Sequence, residues 1–230
     1  MELRRASVLR ASRKKNSSRG DADFEALLAE VRACRICRDR PDGKPLAHEP
    51  QPVFQISKKA RLAIFGQAPG LRAHDAGKPF SDPSGVRLRD WMGISEQDFY
   101  DIEKTAILPM GFCFPGYDDK GGDLPPRLEC AKTWRNRVLD QLPNLELALL
   151  VGSYAQNWHL GRKSIDGRAR TLTATVADWR NVLGEDRRPR FLPLPHPSWR
   201  NNAWISRNCW FEEELLPVLK ERVAQLLGET

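Results

Sequence analysis

The chain has 230 residues, 40% of them hydrophobic and 29% charged, a size for one large domain or two small ones and a composition ordinary for a soluble globular protein. No apolar run approaches the roughly 18 residues that span a bilayer, and the N-terminus has no continuous apolar segment of the secretory kind, so a membrane protein is excluded and a cytoplasmic one expected. Of the net charge of +7, residues 1–20 carry +6, with seven Lys/Arg against Glu2 alone. This Ser-rich basic tail is expected to be disordered, either as a plain solvated extension or as a source of phosphate contacts.

In chain order, Asp21 is placed to cap a first helix in which Phe24, Leu27, Leu28 and Val31 recur at helical spacing up to Cys34. Residues 38–59 hold five prolines or glycines and no sustained period, the pattern of a loop. The apolar run Leu62-Ala-Ile-Phe65 predicts a strand, stopped by Gly66-Gln-Ala-Pro-Gly70. Residues 71–84 are polar, and Ser84 is read as the cap of a helix carrying Val86, Leu88 and Trp91. Thr105–Leu108 predicts a second strand, residues 111–127 a Gly/Pro-rich loop, and Leu128–Leu142 a helix with Trp134, Val138 and Leu142 on one face. Leu145–Val151 is the strongest strand, nearly all apolar as in one buried on both faces, and Gly152 ends it. Short helices are expected near 153–160 and 171–182. Arg190–Leu194 is a fourth strand, halted by Pro195-His-Pro197, and a last helix at about 207–226 buries Phe211, Leu215, Leu219, Val223 and Leu226. Short apolar strands alternating with helices predict a three-layer α/β/α sandwich around a central, mainly parallel, four-stranded sheet, in one domain over residues 21–230.

Ligands of a parallel sheet bind in the loops that follow the carboxyl ends of its strands. Two such loops stand out here, Gly66–Gly70 after the first strand and Pro195–Asn201 after the last. Gly and Pro fix the backbone, so amides can approach a ligand closely. His196, between two prolines, suits a group preorganised for transition-state stabilisation, although a lone His is as readily a satisfied or solvated side chain. The Gly-Gln-Ala-Pro-Gly turn has neither the Lys-Ser/Thr of a P-loop nor the spacing of a dinucleotide fingerprint. Among the five cysteines, Cys34-Arg-Ile-Cys37 is a C-x2-C pair, and sixteen residues separate Cys113 from Cys130. Four such thiolates suit Zn²⁺ or a [4Fe–4S] cluster, and plain burial of the second pair competes.

Gly66-Gln-Ala-Pro-Gly70, Gly77-Lys-Pro-Phe80, Gly85 and His196-Pro-Ser198 resemble, in order and spacing, the motifs of the uracil-DNA glycosylase superfamily. The closest look is to its thermostable, iron–sulfur type, which opens with Gly-Glu-Ala-Pro-Gly and Gly-Arg-Pro-Phe. The likeness covers roughly residues 30–226. It implies a DNA repair enzyme that flips uracil, or a related deaminated base, out of single- or double-stranded DNA and hydrolyses its N-glycosidic bond, leaving an abasic site. It also implies a monomer. Cys34, Cys37, Cys113 and Cys130 would hold a structural [4Fe–4S] cluster, with Zn²⁺ or no metal as the alternatives, and Cys209 falls outside that set as a structural residue. The resemblance makes His196 the stabiliser of the departing uracil anion. It turns Gln67 towards the base, places Gly66, Ala68, Pro69 and Gly70 against the substrate, and stacks Phe80 on uracil. Ser84, Ser198, Trp199 and Arg200 are implied at the DNA, with Arg200 on a phosphate and Trp199 as a wedge in the base stack.

The chain departs from the family pattern in three places. The iron–sulfur type has Glu where this chain has Gln67, and the best known glycosylases have Asp where it has Ala68, so the first motif supplies no carboxylate to orient water. Asp82 takes that role in this reading, because some relatives place a functional Asp just after the equivalent Phe. Asp75 is the other nearby carboxylate that could substitute, and either residue can equally cap a turn. Relatives carry Asn at the end of the second strand, where this chain has Pro109, which lacks even an amide donor; base discrimination is then expected from backbone groups or from another residue such as Asn201. Two other readings stand beside the glycosylase: a catalytically weak nucleic-acid-binding member of the superfamily, and a metal-cluster sensor on an α/β scaffold.

Overall fold

The computed structural model describes residues 20–161 and 170–228. The basic tail, up to residue 19, lies outside the described residues. Among the described residues, four strands form one sheet in the order β2-β1-β3-β4, parallel throughout: β1 (Leu62–Phe65), β2 (Thr105–Ile107), β3 (Leu147–Val151) and β4 (Arg190–Leu194). Side chains alternate across a strand, and here the two faces differ in size. Ala63, Ala106 and Ala148 stand in register on one face, next to Phe65, Leu150 and Phe191. Leu62, Ile64, Leu149, Val151, Leu192 and Leu194 point to the other.

Helices cover both faces, which makes the expected three-layer sandwich. Helix α1 (residues 20–32) and α6 (Leu128–Leu139) pack on the alanine-bearing face, through Phe24, Leu28, Val31, Trp134 and Val138. On the opposite face lie α4 (Pro83–Met92), α5 (Glu96–Tyr100) and the C-terminal helix, through Leu88, Trp91, Phe99, Leu219 and Val223. No described helix is long and apolar enough to cross a membrane.

The expected elements return with local differences. Asp21 lies inside α1, which already includes Gly20. Three helices have no sequence period because each is only four to six residues long: α2 (Ile36–Asp39), α3 (Leu71–Ala76) and α5. Asp82, not Ser84, caps α4. Its carboxylate accepts the amides of Ser84 (2.9 Å) and Gly85 (3.3 Å), with Pro83 in the first turn. The segment 171–182 divides at Asp178 into α8 (Leu172–Ala177) and α9 (Trp179–Gly184), and α7 (Ser153–His159) precedes them. The last helix starts earlier than expected and is broken. Between α10 (Asn202–Arg207) and α11 (Leu216–Leu227), Asn208 leaves helical dihedrals and turns its side-chain amide onto the Trp204 carbonyl at 2.7 Å. A π-helical turn over Phe211–Leu215 then seats Phe211 and Leu215 in the core.

Candidate active site

The loops after β1 and β4 meet, as expected, in one pocket at the carboxyl end of the sheet. Gly66, Gln67, Ala68, Pro69, Gly70, Phe80, Asp82, Ser84, Pro109 and His196 all line it. Strand β3 runs between β1 and β4 and ends at Gly152, whose φ of +82° favours glycine. A Cβ at that position would make only ordinary contacts, 3.8 Å from both the Gln67 Oε1 and the His196 Cβ, so Gly152 lies between the two loops. The first loop is stitched to the extension of β2, where the amides of Met110 and Gly111 donate to the carbonyls of Gly66 (3.0 Å) and Gln67 (2.8 Å).

His196 is held by backbone contacts. Its Nδ1 accepts the Ser198 amide at 3.2 Å, which puts the ring proton on Nε2. Burial pushes the imidazole below its ordinary pKa and Arg200 adds to the effect, while the Asp82 charge opposes it. The pocket therefore holds a neutral imidazole with its Nε2–H as a donor. Asn201, expected at the base, instead clamps this loop. Its amide donates to the His196 carbonyl at 2.7 Å, and it does not line the pocket. Ser198 likewise contributes backbone, its carbonyl accepting from Arg87 at 3.4 Å.

Phe80 is fixed by strain and by close packing. It is the one non-glycine described residue with positive φ, at 53°, a costly conformation for a bulky side chain that neighbours must enforce. The Tyr100 hydroxyl donates to the carbonyls of Pro79 (3.0 Å) and Phe80 (3.1 Å). A Cβ at Gly85 would fall 1.8 Å from the Phe80 carbonyl oxygen, so only glycine lets the first turn of α4 close on this loop. The Phe80 ring lies over Gly66, where a Cβ would stand 3.3 Å from it.

Asp82 lines the pocket while capping α4. The amides of Ser84 and Gly85 and the Ser84 hydroxyl all converge on Oδ1. Ser84 is therefore buried, with its hydroxyl engaged internally rather than offered to solvent. Asp75 is exposed on α3 and away from the pocket lining. A third carboxylate went unread in the sequence: Asp123, from the loop after β2, lines the pocket. Its only signal was a position in a Gly/Pro-rich loop at the carboxyl end of a strand. At the rim, Trp199 is 72% exposed, with the Arg200 guanidinium 5.9 Å from its ring centre.

The four cysteines lie together in the layer of α1 and α6, with Cys37 and Cys130 buried and Cys34 and Cys113 half-buried. Trp134 Nε1 donates to the Cys34 Sγ at 3.2 Å and the Phe112 amide to the Cys130 Sγ at 3.3 Å. Burial above all, opposed by Arg127, pushes the Cys37 thiol up to about 11, and burial with the other thiols pushes Cys113 up to about 12 and Cys130 higher still. Arg135 is buried nearby, with its Nη1 on the carbonyls of Leu108 (3.1 Å) and Pro109 (3.3 Å) and its Nε on His159 (2.9 Å). Its Nη2 has no partner among the described residues, and burial lowers its guanidinium pKa to about 9, with Cys130 opposing the shift. Buried thiols with N–H donors, next to a buried cation lacking a carboxylate, fit an anionic resident group. Among the described residues no three His, Cys, Asp or Glu side chains gather closely enough to hold a metal ion. Cys209 stands apart, exposed at the break before the π-helical turn.

The sequence model of the Uracil DNA glycosylase superfamily matches residues 53–220. The chain belongs to that superfamily. The matched span contains every pocket residue named above, and Cys113 and Cys130, while Cys34 and Cys37 precede it. Members of this superfamily act on DNA.

Proposed function

We propose that this protein is a monofunctional DNA glycosylase that excises uracil, or a related deaminated base, and leaves an abasic site. The observation that carries this reading is His196: a neutral, preorganised N–H donor in a pocket walled by both signature loops. Breaking the glycosidic bond sends an electron pair onto the base, and a fixed donor in a water-poor site stabilises that charge without reorganising. Phe80 stacks on the base, and the Gln67 amide, beside Gly152, meets its polar edge. Pro109 offers no donor, so discrimination falls to Gln67 and the backbone of the first loop. Asp82 fixes the Phe80 loop and faces the sugar side with Oδ2, the oxygen that its cap leaves free. Trp199 enters the stack, Arg200 meets a phosphate, and residues 1–20 add salt-dependent affinity.

Cys34, Cys37, Cys113 and Cys130 would hold a [4Fe–4S] cluster, an anionic group that suits the N–H donors on Cys34 and Cys130 and the buried Arg135. Such a cluster supplies structural cross-linking here and takes no part in the reaction. Purified protein incubated with a uracil-containing oligonucleotide, followed by alkaline cleavage, tests the activity: a strand break at uracil supports it, and intact DNA across uracil, hypoxanthine and xanthine substrates refutes it.

A further inference from the structure

The reading above leaves one chemical task poorly served. As water attacks C1′ its proton must go to an acceptor, a carboxylate is well suited to that, and the first loop has none, with Gln67 and Ala68 in it. Asp82 is only half available, because three donors converge on its Oδ1.

We infer that Asp123 takes the proton from the attacking water; this rests on the glycosylase reading. Asp123 lines the same pocket as His196, Phe80 and Asp82, and its Oδ2 stands 3.8 Å from where a Gly70 Cβ would lie, leaning over the first loop. Among the described residues no hydrogen bond or ion pair occupies its carboxylate, unlike that of Asp82. The residue is exposed overall, which puts it at the mouth by which water enters.

Its position is nevertheless built. Tyr117 and Asp123 pair across a short antiparallel bridge. Inside that turn Asp118 Oδ1 accepts the amides of Lys120 (2.9 Å) and Gly122 (2.8 Å), and Gly121 adopts φ +75°. Below it the Leu124 amide donates to the Gly116 carbonyl at 2.9 Å. A tight turn tied at both levels holds Asp123 at its base.

The charged groups facing Asp123 suit a base. Burial raises its carboxyl above the ordinary range and the Asp82 charge acts the same way, while Arg200, from the turn after β4, opposes them. A carboxylate shifted towards the working pH is a better proton acceptor than an ordinary one. In the step itself, the water oxygen bonds to C1′ as the C1′–N bond breaks. The electron pair leaves on the base, whose anion His196 Nε2–H holds. The water proton passes to Asp123 and is later lost to solvent.

The test is single-turnover excision by the full-length protein on a uracil-containing duplex, with DNA affinity measured separately. Asp123→Asn is expected to lose roughly 10²-fold or more in rate, with affinity for the same duplex kept within about two-fold. The wild-type rate should fall as pH drops through the raised carboxyl pKa, and that acid limb should vanish in Asp123→Asn. Asp123→Glu should recover part of the rate. A rate in Asp123→Asn close to wild type, or an unchanged acid limb, overturns the assignment while leaving the glycosylase reading intact. Equal losses in rate and affinity also overturn it, by showing a binding role. Wild-type protein inactive on every deaminated base overturns both.

Discussion

The pocket and the cysteine layer lie on the same scaffold and treat their polar atoms in opposite ways. In the pocket the backbone is fixed and the side-chain atoms are left unspent: His196 keeps Nε2–H, Asp82 keeps Oδ2, and the Asp123 carboxylate stays clear. In the cysteine layer two donors are committed to sulfur, Trp134 Nε1 and the Phe112 amide, while the buried Arg135 keeps an unpartnered Nη2 among the described residues. A site meant to bind and release substrate keeps its hydrogen-bonding capacity open, and a site meant to hold a permanent resident commits it. The two regions also touch, because Arg135 donates to the carbonyl of Pro109, a pocket residue.

That contrast breaks if pocket variants cost stability, or if cysteine variants cost rate before stability. The largest effect is expected in His196→Ala. Loss of one preorganised donor should lower the single-turnover rate by roughly 10²–10³, with an unchanged melting temperature in calorimetry. Cys113→Ser should do the reverse. Losing about 3 kcal/mol of stability would lower Tm by about 6–12 °C in a domain of this size, and the brown colour of anaerobically prepared protein should fade with it. Identical Tm and spectra in variant and wild type would remove the resident group from the account. Gly85→Ala stands between the regions in kind: its Cβ collides with the Phe80 backbone. Overpacking of this sort costs about 1–3 kcal/mol and should show as a lower denaturation midpoint together with slower excision. Smallest is Asn201→Ala, which removes one hydrogen bond from the His196 loop. A contribution of about 1 kcal/mol corresponds to about a five-fold slower rate if Asn201 only clamps the loop. A far larger change, with altered base preference, would return Asn201 to the base.

The sequence made the sheet legible because its strands are short, buried on both faces and almost wholly apolar, as Leu147–Val151 shows. The two signature loops were legible for the same reason, since they begin where those runs stop. What stayed hidden depends on contacts without a period. Helix α3 is a single polar turn and a half, and the cap of α4 is Asp82, not Ser84, because the extended backbone of Asp82 just before Pro83 lets its carboxylate meet two amides at once. The bond from Asn201 to the His196 carbonyl leaves no mark in the sequence, where the residue reads equally as a contact to the base. Asp123 is some fifteen residues past β2 and reaches the pocket only through its hairpin.

The central claim is that this pocket hydrolyses a glycosidic bond with His196 holding the departing base. It is tested most directly by mass spectrometry of the free base released from a uracil-containing duplex by wild-type protein and by His196→Ala. The account predicts free uracil and an abasic strand from wild type, and release slowed roughly 10²–10³-fold in the variant. Equal release from both proteins, or none from wild type, would contradict it.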